Sequence, residues 1–137
     1  MTVQLSVAVR NAMLDAIETA IGVSAVVKLR SGAPPANCAA ADSGTVIATI
    51  SLASDWMGAA SSGSKSFSNT PLTDSSADNA GTLGHYRVYA SDGTTCHEQG
   101  TITATGGGGD MTVDNTSVTA GQSVSITSWS QNMSAHA

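Results

Sequence analysis

Charge, aromatic rings and cysteine are all scarce in this 137-residue chain. Charged side chains make up 11% of it and sum to −5. The concentrated Lys and Arg that displace counterions from nucleic acid are therefore missing, and no direct nucleic-acid partner is expected. No apolar run approaches the roughly 18 residues of a membrane-spanning helix, so no membrane contact is expected either. The first residues lack the basic stretch and apolar block of a secretory leader. With one Phe, two Trp and two Tyr, large core-building side chains are few. A core this thin predicts either a marginally stable monomer or a domain that gains stability from partner subunits.

The motifs of chemistry are missing as well. Neither C-x-x-C nor H-x-x-x-H occurs, and Cys96 and His97 are adjacent, so on a strand they point to opposite faces. No metal or other cofactor is expected. There is no Gly-x-Ser-x-Gly elbow, and the Gly106–Gly109 run is not followed by Lys-Ser or Lys-Thr. Asp42, Asp55, Asp74, Asp78 and Asp110 sit in Gly- and Ser-rich stretches where Asp makes local turns. No residue is singled out as catalytic, and the chain reads as a non-enzyme.

What is there is small. Ala, Gly, Ser and Thr outnumber all other residues together, and short segments that alternate apolar and polar break their runs. Leu5, Val9, Ala12, Met13, Ala16, Ile17, Ala20 and Ile21 recur at spacings of three and four, predicting one amphipathic helix over about 5–21. Val9, Met13, Ile17 and Ile21 are expected inward, and Arg10, Asp15 and Glu18 outward. Gly22 stops it. Strands are expected at 25–30, at 45–52, near 65–69 within a long surface excursion, and at 110–114 and 122–130. A hairpin is expected over 83–104, turning at Asp92-Gly93. Its register sets Tyr89 opposite Cys96 and Arg87 opposite Glu98, a cross-strand ion pair. Gly106–Gly109 reads as a flexible connection or hairpin tip, and 133–137 as a loose tail. The sum is a single mainly-β domain over 1–137: an antiparallel β-sandwich or jelly-roll-like fold over about 24–132, with one N-terminal α-helix.

Three large side chains stand out as candidate interface residues. Trp56 and Met57 follow Ser54 and Asp55, either of which suits the cap of a short helical turn. They read as a core plug or as an intersubunit anchor. Trp129 is out of phase with Val124 and Ile126, so either the strand carries a bulge or Trp129 meets a partner. Cys38 and Cys96 leave two states open, buried free thiols or a disulfide, depending on whether their segments are neighbours.

Several segments together resemble a family of small virion structural proteins of tailed bacteriophages. They are Arg10 to Glu18, Pro35 to Gly44, Ser54 to Met57, Gly84 to Tyr89, Thr95 to Gly100 and Asp114 to Ser117. The resemblance implies a component of a double-stranded DNA phage particle, with no catalytic residues carried over. The expected role is a capsid decoration or cement protein on the outer surface of the head. Its partners would be the major capsid protein and copies of itself, most simply as a trimer at a threefold junction. A tail or neck component and a host-surface binding module are the alternatives.

Overall fold

The computed structural model describes residues 3–68 and 72–133. One helix, α1 (Val7–Ile21), precedes nine strands: β1 (Val26–Ser31), β2 (Val46–Ser51), β3 (Ser64–Ser66), β4 (Leu72–Asp74), β5 (Gly81–Tyr89), β6 (Cys96–Ala104), β7 (Met111–Val113), β8 (Ser117–Val118) and β9 (Val124–Asn132). The architecture is mainly β with one N-terminal helix, as the alternating segments predict. The strands form a curled sheet in the order β2-β1-β5-β6-β7-β9-β3, with β4 on β9 and β8 on β5. The curl brings β4 back beside β2, where Thr49 N donates to Asp74 Oδ2 at 2.9 Å. One apolar cluster fills the interior, built from Val27, Leu29, Ile50, Val88, Ile102, Met111, Val113, Val124 and Ile126 among others.

Every strand pair is antiparallel except β6–β7, which is parallel. Six residues join those two strands, far fewer than a helical crossover needs. The glycine run explains the connection, and it is not a flexible tip. Gly107 N donates to Ala104 O and Gly109 N to Thr103 Oγ1, both at 2.9 Å, so the chain doubles back along β6 before β7 begins. A Cβ at Gly107 would lie 2.7 Å from the Thr103 side chain, and one at Gly109 2.9 Å from Thr103 N.

Two one-residue slips decide which side chains face the core. In β5–β6, Tyr89 pairs with Cys96 as expected, but Val88 pairs with Glu98 and Arg87 with Gln99. The bulge at His97 overturns the Arg87–Glu98 pair. Because side chains alternate, one extra residue swings Glu98 to the inner face. In β9, the register shifts between Val113↔Ile126 and Thr112↔Ser128, which returns Trp129 to the inner face.

The helix departs from expectation in how it is rotated. Leu14 and Ile21 are buried, whereas Val9 and Met13 are 45% and 43% exposed. The side carrying Asn11, Asp15 and Glu18 faces the body instead. The segment 56–65 has backbone N–H groups that no strand satisfies, and this face supplies their acceptors. Glu18 Oε1 accepts from Trp56 N and Met57 N at 3.2 and 3.1 Å, Asp15 Oδ1 from Ala60 N at 2.9 Å, and Asn11 Oδ1 from Gly63 N at 2.9 Å. Lys65, 3% exposed, lies between Asp15 (2.8 Å) and Glu18 (3.1 Å). No helical turn forms at Ser54-Asp55, because α1 already provides the bonds a cap would give. The expected tail begins fastened: Met133 N donates to Gly63 O at 2.9 Å, and Met133 O accepts from Arg10 at 3.2 Å. Residues 134–137, and residue 69 of the expected strand, lie outside the described residues.

Candidate functional site

The three candidate interface residues are corrected by their burial. Trp56, Met57 and Trp129 are 2–3% exposed, leaving almost no area for a partner. Trp129 stacks on Trp56 (centroids 6.0 Å apart), lies 3.7 Å from Phe67 and meets Tyr86 edge-on at 5.4 Å. Trp56 Nε1–H donates to Gly22 O at 3.0 Å, so its polar edge is satisfied within the chain. With so few large side chains available, the fold spends these on its own core.

The exposed apolar surface lies on α1. Val9, Ala12, Met13, Ala16 and Ala20 share one outward line free of charged residues. Val3 and Val23, 69% and 66% exposed, flank its ends. The β2 edge of the sheet offers no comparable surface. Along β2, Asp78 N and Asn79 N donate to Ile47 O, and Asn79 Nδ2 to Val46 O, which closes the edge to strand addition.

The outer face of β1–β5–β6 is covered by a polar strap, residues 32–44. Arg30, His85 and Arg87 lie beneath it, 6%, 0% and 1% exposed. Arg87 bonds Asp42 and the carbonyls of Asn37, Cys38 and Ala40; Arg30 bonds Asp42 Oδ2 at 2.8 Å, and Tyr89 Oη donates to Asp42 Oδ1 at 2.7 Å. Burial alone would raise the Asp42 carboxyl. The bonds from Tyr89 and Arg87 and the two guanidinium charges outweigh it, so its pKa lies below the ordinary value. Burial pushes the His85 imidazole down, against the pull of its bond to Gly32 O.

The strap also brings the two cysteines together. Cys96 Sγ lies 2.7 Å from Cys38 Sγ, and both are free thiols. Burial and the adjacent Cys38 sulfur push the Cys96 thiol up to about 12, against the opposing Arg87 charge. Thiolate is the attacking species, so oxidation at neutral pH is expected to be slow. Prolonged mild oxidation of folded protein is expected to remove both thiols and restore them on reduction. The measurement is a thiol titration after denaturation without reductant; full reactivity there excludes a bridge.

At the opposite side of β6 a polar cleft of about 440 Å³ opens between β6 and β9. The inward turn of Glu98 builds it. Glu98 Oε1 accepts from Tyr86 Oη at 2.7 Å and from Trp129 Nε1 at 3.1 Å. Burial raises the Glu98 carboxyl and the Asp110 charge adds to this, while the bonds from Tyr86, Trp129 and Gln131 pull the other way. Asp110 is placed by the glycine return: its Oδ2 accepts from Thr101 N and Oγ1, both at 2.9 Å. Gly100 makes room for all of this. A Cβ there would lie 2.8 Å from Tyr86 Cε1 and 3.0 Å from Asp110 Cβ. Gly100→Ala is therefore expected to displace the Tyr86 ring and cost about 1–3 kcal/mol, read as a lowered denaturation midpoint. An unchanged midpoint would show that the ring yields freely.

The sequence pattern gives Glu98 to Arg87, reads Asp110 as a local turn residue and assigns Lys65 no role. The place of Glu98 depends on a bulge and that of Asp110 on a parallel return, neither of which has a local signature. Among the described residues no three His, Cys, Asp or Glu side chains gather as metal ligands. No protein-family model, curated protein or solved structure matches the chain.

Proposed function

We propose that the protein is a structural subunit of a tailed-phage particle, a decoration protein that seats on the outer capsid and contacts copies of itself. The observation that carries this reading is the uncharged outer line of α1, from Val9 to Ala20. A domain that buries its large aromatics and closes its β2 edge, yet leaves such a line bare, has a contact surface. The occupant is a second copy of the chain. An uncharged, alanine-rich helix face is complementary to itself, because small side chains let two helices approach closely.

The size of the line indicates how the copies assemble. Five side chains, three of them alanine, cover less than the ~800 Å² per partner of a standard interface. Copies therefore associate weakly when free and firmly when a lattice holds them side by side. The sequence resemblance to phage virion proteins supplies the lattice, and the trimer is the arrangement that a threefold junction favours.

Electron microscopy of purified particles tests this. Hundreds of copies on the head are expected, and their removal is expected to lower the temperature at which heads release DNA. A few tens at the tail or neck would replace the decoration role with a tail role. Absence from particles would end the virion reading. Met13→Glu tests the surface itself. Particle occupancy is expected to fall at least tenfold with an unchanged monomer melting temperature, since residue 13 is already half in solvent. Equal occupancy would remove α1 from the interface.

A further inference from the structure

We propose that the cleft between β6 and β9 is a receptor for a guanidinium group, the side chain of an arginine. This goes beyond the decoration role and stands on different residues.

Several features of the lining narrow the ligand class. The cleft, at about 440 Å³ and open to solvent on one side, is large enough to admit a side chain. Its lining includes two carboxylates, Glu98 and Asp110, and no Lys or Arg, which turns anions away. The amides of Gln131 and Asn132 complete a wall rich in acceptors. Stacking sugars need an aromatic face, and Tyr86 and Trp129 are each only 3% exposed. What remains is a polar cation that forms several hydrogen bonds at once. A guanidinium suits this better than an ammonium, because its planar fork spans separate acceptors and sheds water more readily.

The carboxylate at the floor is also prepared for such a ligand. Glu98 is held in place by Tyr86 Oη at 2.7 Å and Trp129 Nε1 at 3.1 Å, both spent on Oε1. It is thus oriented but carries no paired cation: among the described residues its side chain forms no salt bridge, unlike Asp15, Glu18 and Asp42. Asp110, set by Thr101, places a second negative charge at the same cleft. Two like charges sharing a partly desolvated space repel each other, and a cation between them relieves both.

The chain carries its own reporter. It has two indole N–H groups, and only that of Trp129 touches Glu98; that of Trp56 is bonded to Gly22 O. The experiment is a ¹⁵N NMR titration of the full chain with N-acetyl-arginine N-methylamide, whose only charge is its guanidinium. The neutral isostere N-acetyl-citrulline N-methylamide, sodium chloride at matched ionic strength, glucose and calcium chloride are run in parallel. The Trp129 indole signal is expected to shift saturably with the arginine probe alone, while that of Trp56 stays in place. Glu98→Gln is expected to weaken the affinity at least tenfold, and Asp110→Asn several-fold. Asp110 is at the more exposed position, so the second variant keeps the test usable where the first fails to fold. The proposal is overturned by the absence of a saturable shift, by an equal shift with citrulline or salt, by saturation with glucose or calcium instead, or by unchanged affinity in Asp110→Asn.

Discussion

Trp129→Ala is expected to cost about 3–5 kcal/mol, the range for removing a large buried aromatic. The ring is 3% exposed and touches Trp56, Phe67 and Tyr86, three of the four other Phe, Trp and Tyr side chains in the chain. Its Nε1–H also donates to Tyr86 Oη and Glu98 Oε1, both at 3.1 Å, so truncation leaves a cavity and two groups short of a donor. Domains of this kind are stable by about 5–15 kcal/mol in all, so the variant sits near the edge of folding. Urea denaturation measures it, with Trp129→Phe expected to recover part of the loss. An intersubunit anchor would behave differently: the monomer would keep its stability and only assembly would fail. A loss below 1 kcal/mol at unchanged slope contradicts the core role.

Asp42→Ala should be the other severe substitution, at about 3 kcal/mol. Removing the carboxylate leaves the Arg30 and Arg87 guanidiniums, 6% and 1% exposed, without their counter-charge. The side chain of Asp42 itself is 40% exposed, so water entering from that side moderates the cost and holds it at the lower end of the range for broken buried pairs. The same bonds set an acid response. Asp42 has a folded pKa below its unfolded one, so its stabilisation is complete above the unfolded value, near ~4, and is lost as pH falls through the folded value. Asp15, lowered by its bond from Lys65, acts in the same window and the same direction. Wild-type stability is therefore expected to decline below about pH 4, and Asp42→Ala to decline less steeply there. Denaturation midpoints between pH 7 and pH 3 provide the comparison, and parallel slopes would refute it.

The sequence determined what depends on local pattern. Alternation and turn residues specified a mainly-β domain with one helix, because a strand repeats every two residues and a helix every 3.6. Gly22 after Ile21, and Tyr89 opposite Cys96, followed from the same rules. Trp129 being out of phase already required a bulge or a partner, and the structure contains the bulge.

Only the tertiary structure decided which face of each element looks inward. Periodicity alone set Arg10, Asp15 and Glu18 of α1 toward solvent, because it counts polarity and not hydrogen-bond demand from a distant segment. The unsatisfied N–H groups of residues 56–65 oriented the helix instead, by turning Asn11, Asp15 and Glu18 inward and leaving Val9 and Met13 outside. A single extra residue at His97 moved Glu98 from the side of Arg87 to the core side, and gave Arg87 to Asp42, 45 residues away in the chain. The cleft, the strap and the thiol pair all follow from such long-range pairings. Hydrogen-bond demand and one-residue register shifts are settled between segments, and no window of sequence contains both partners.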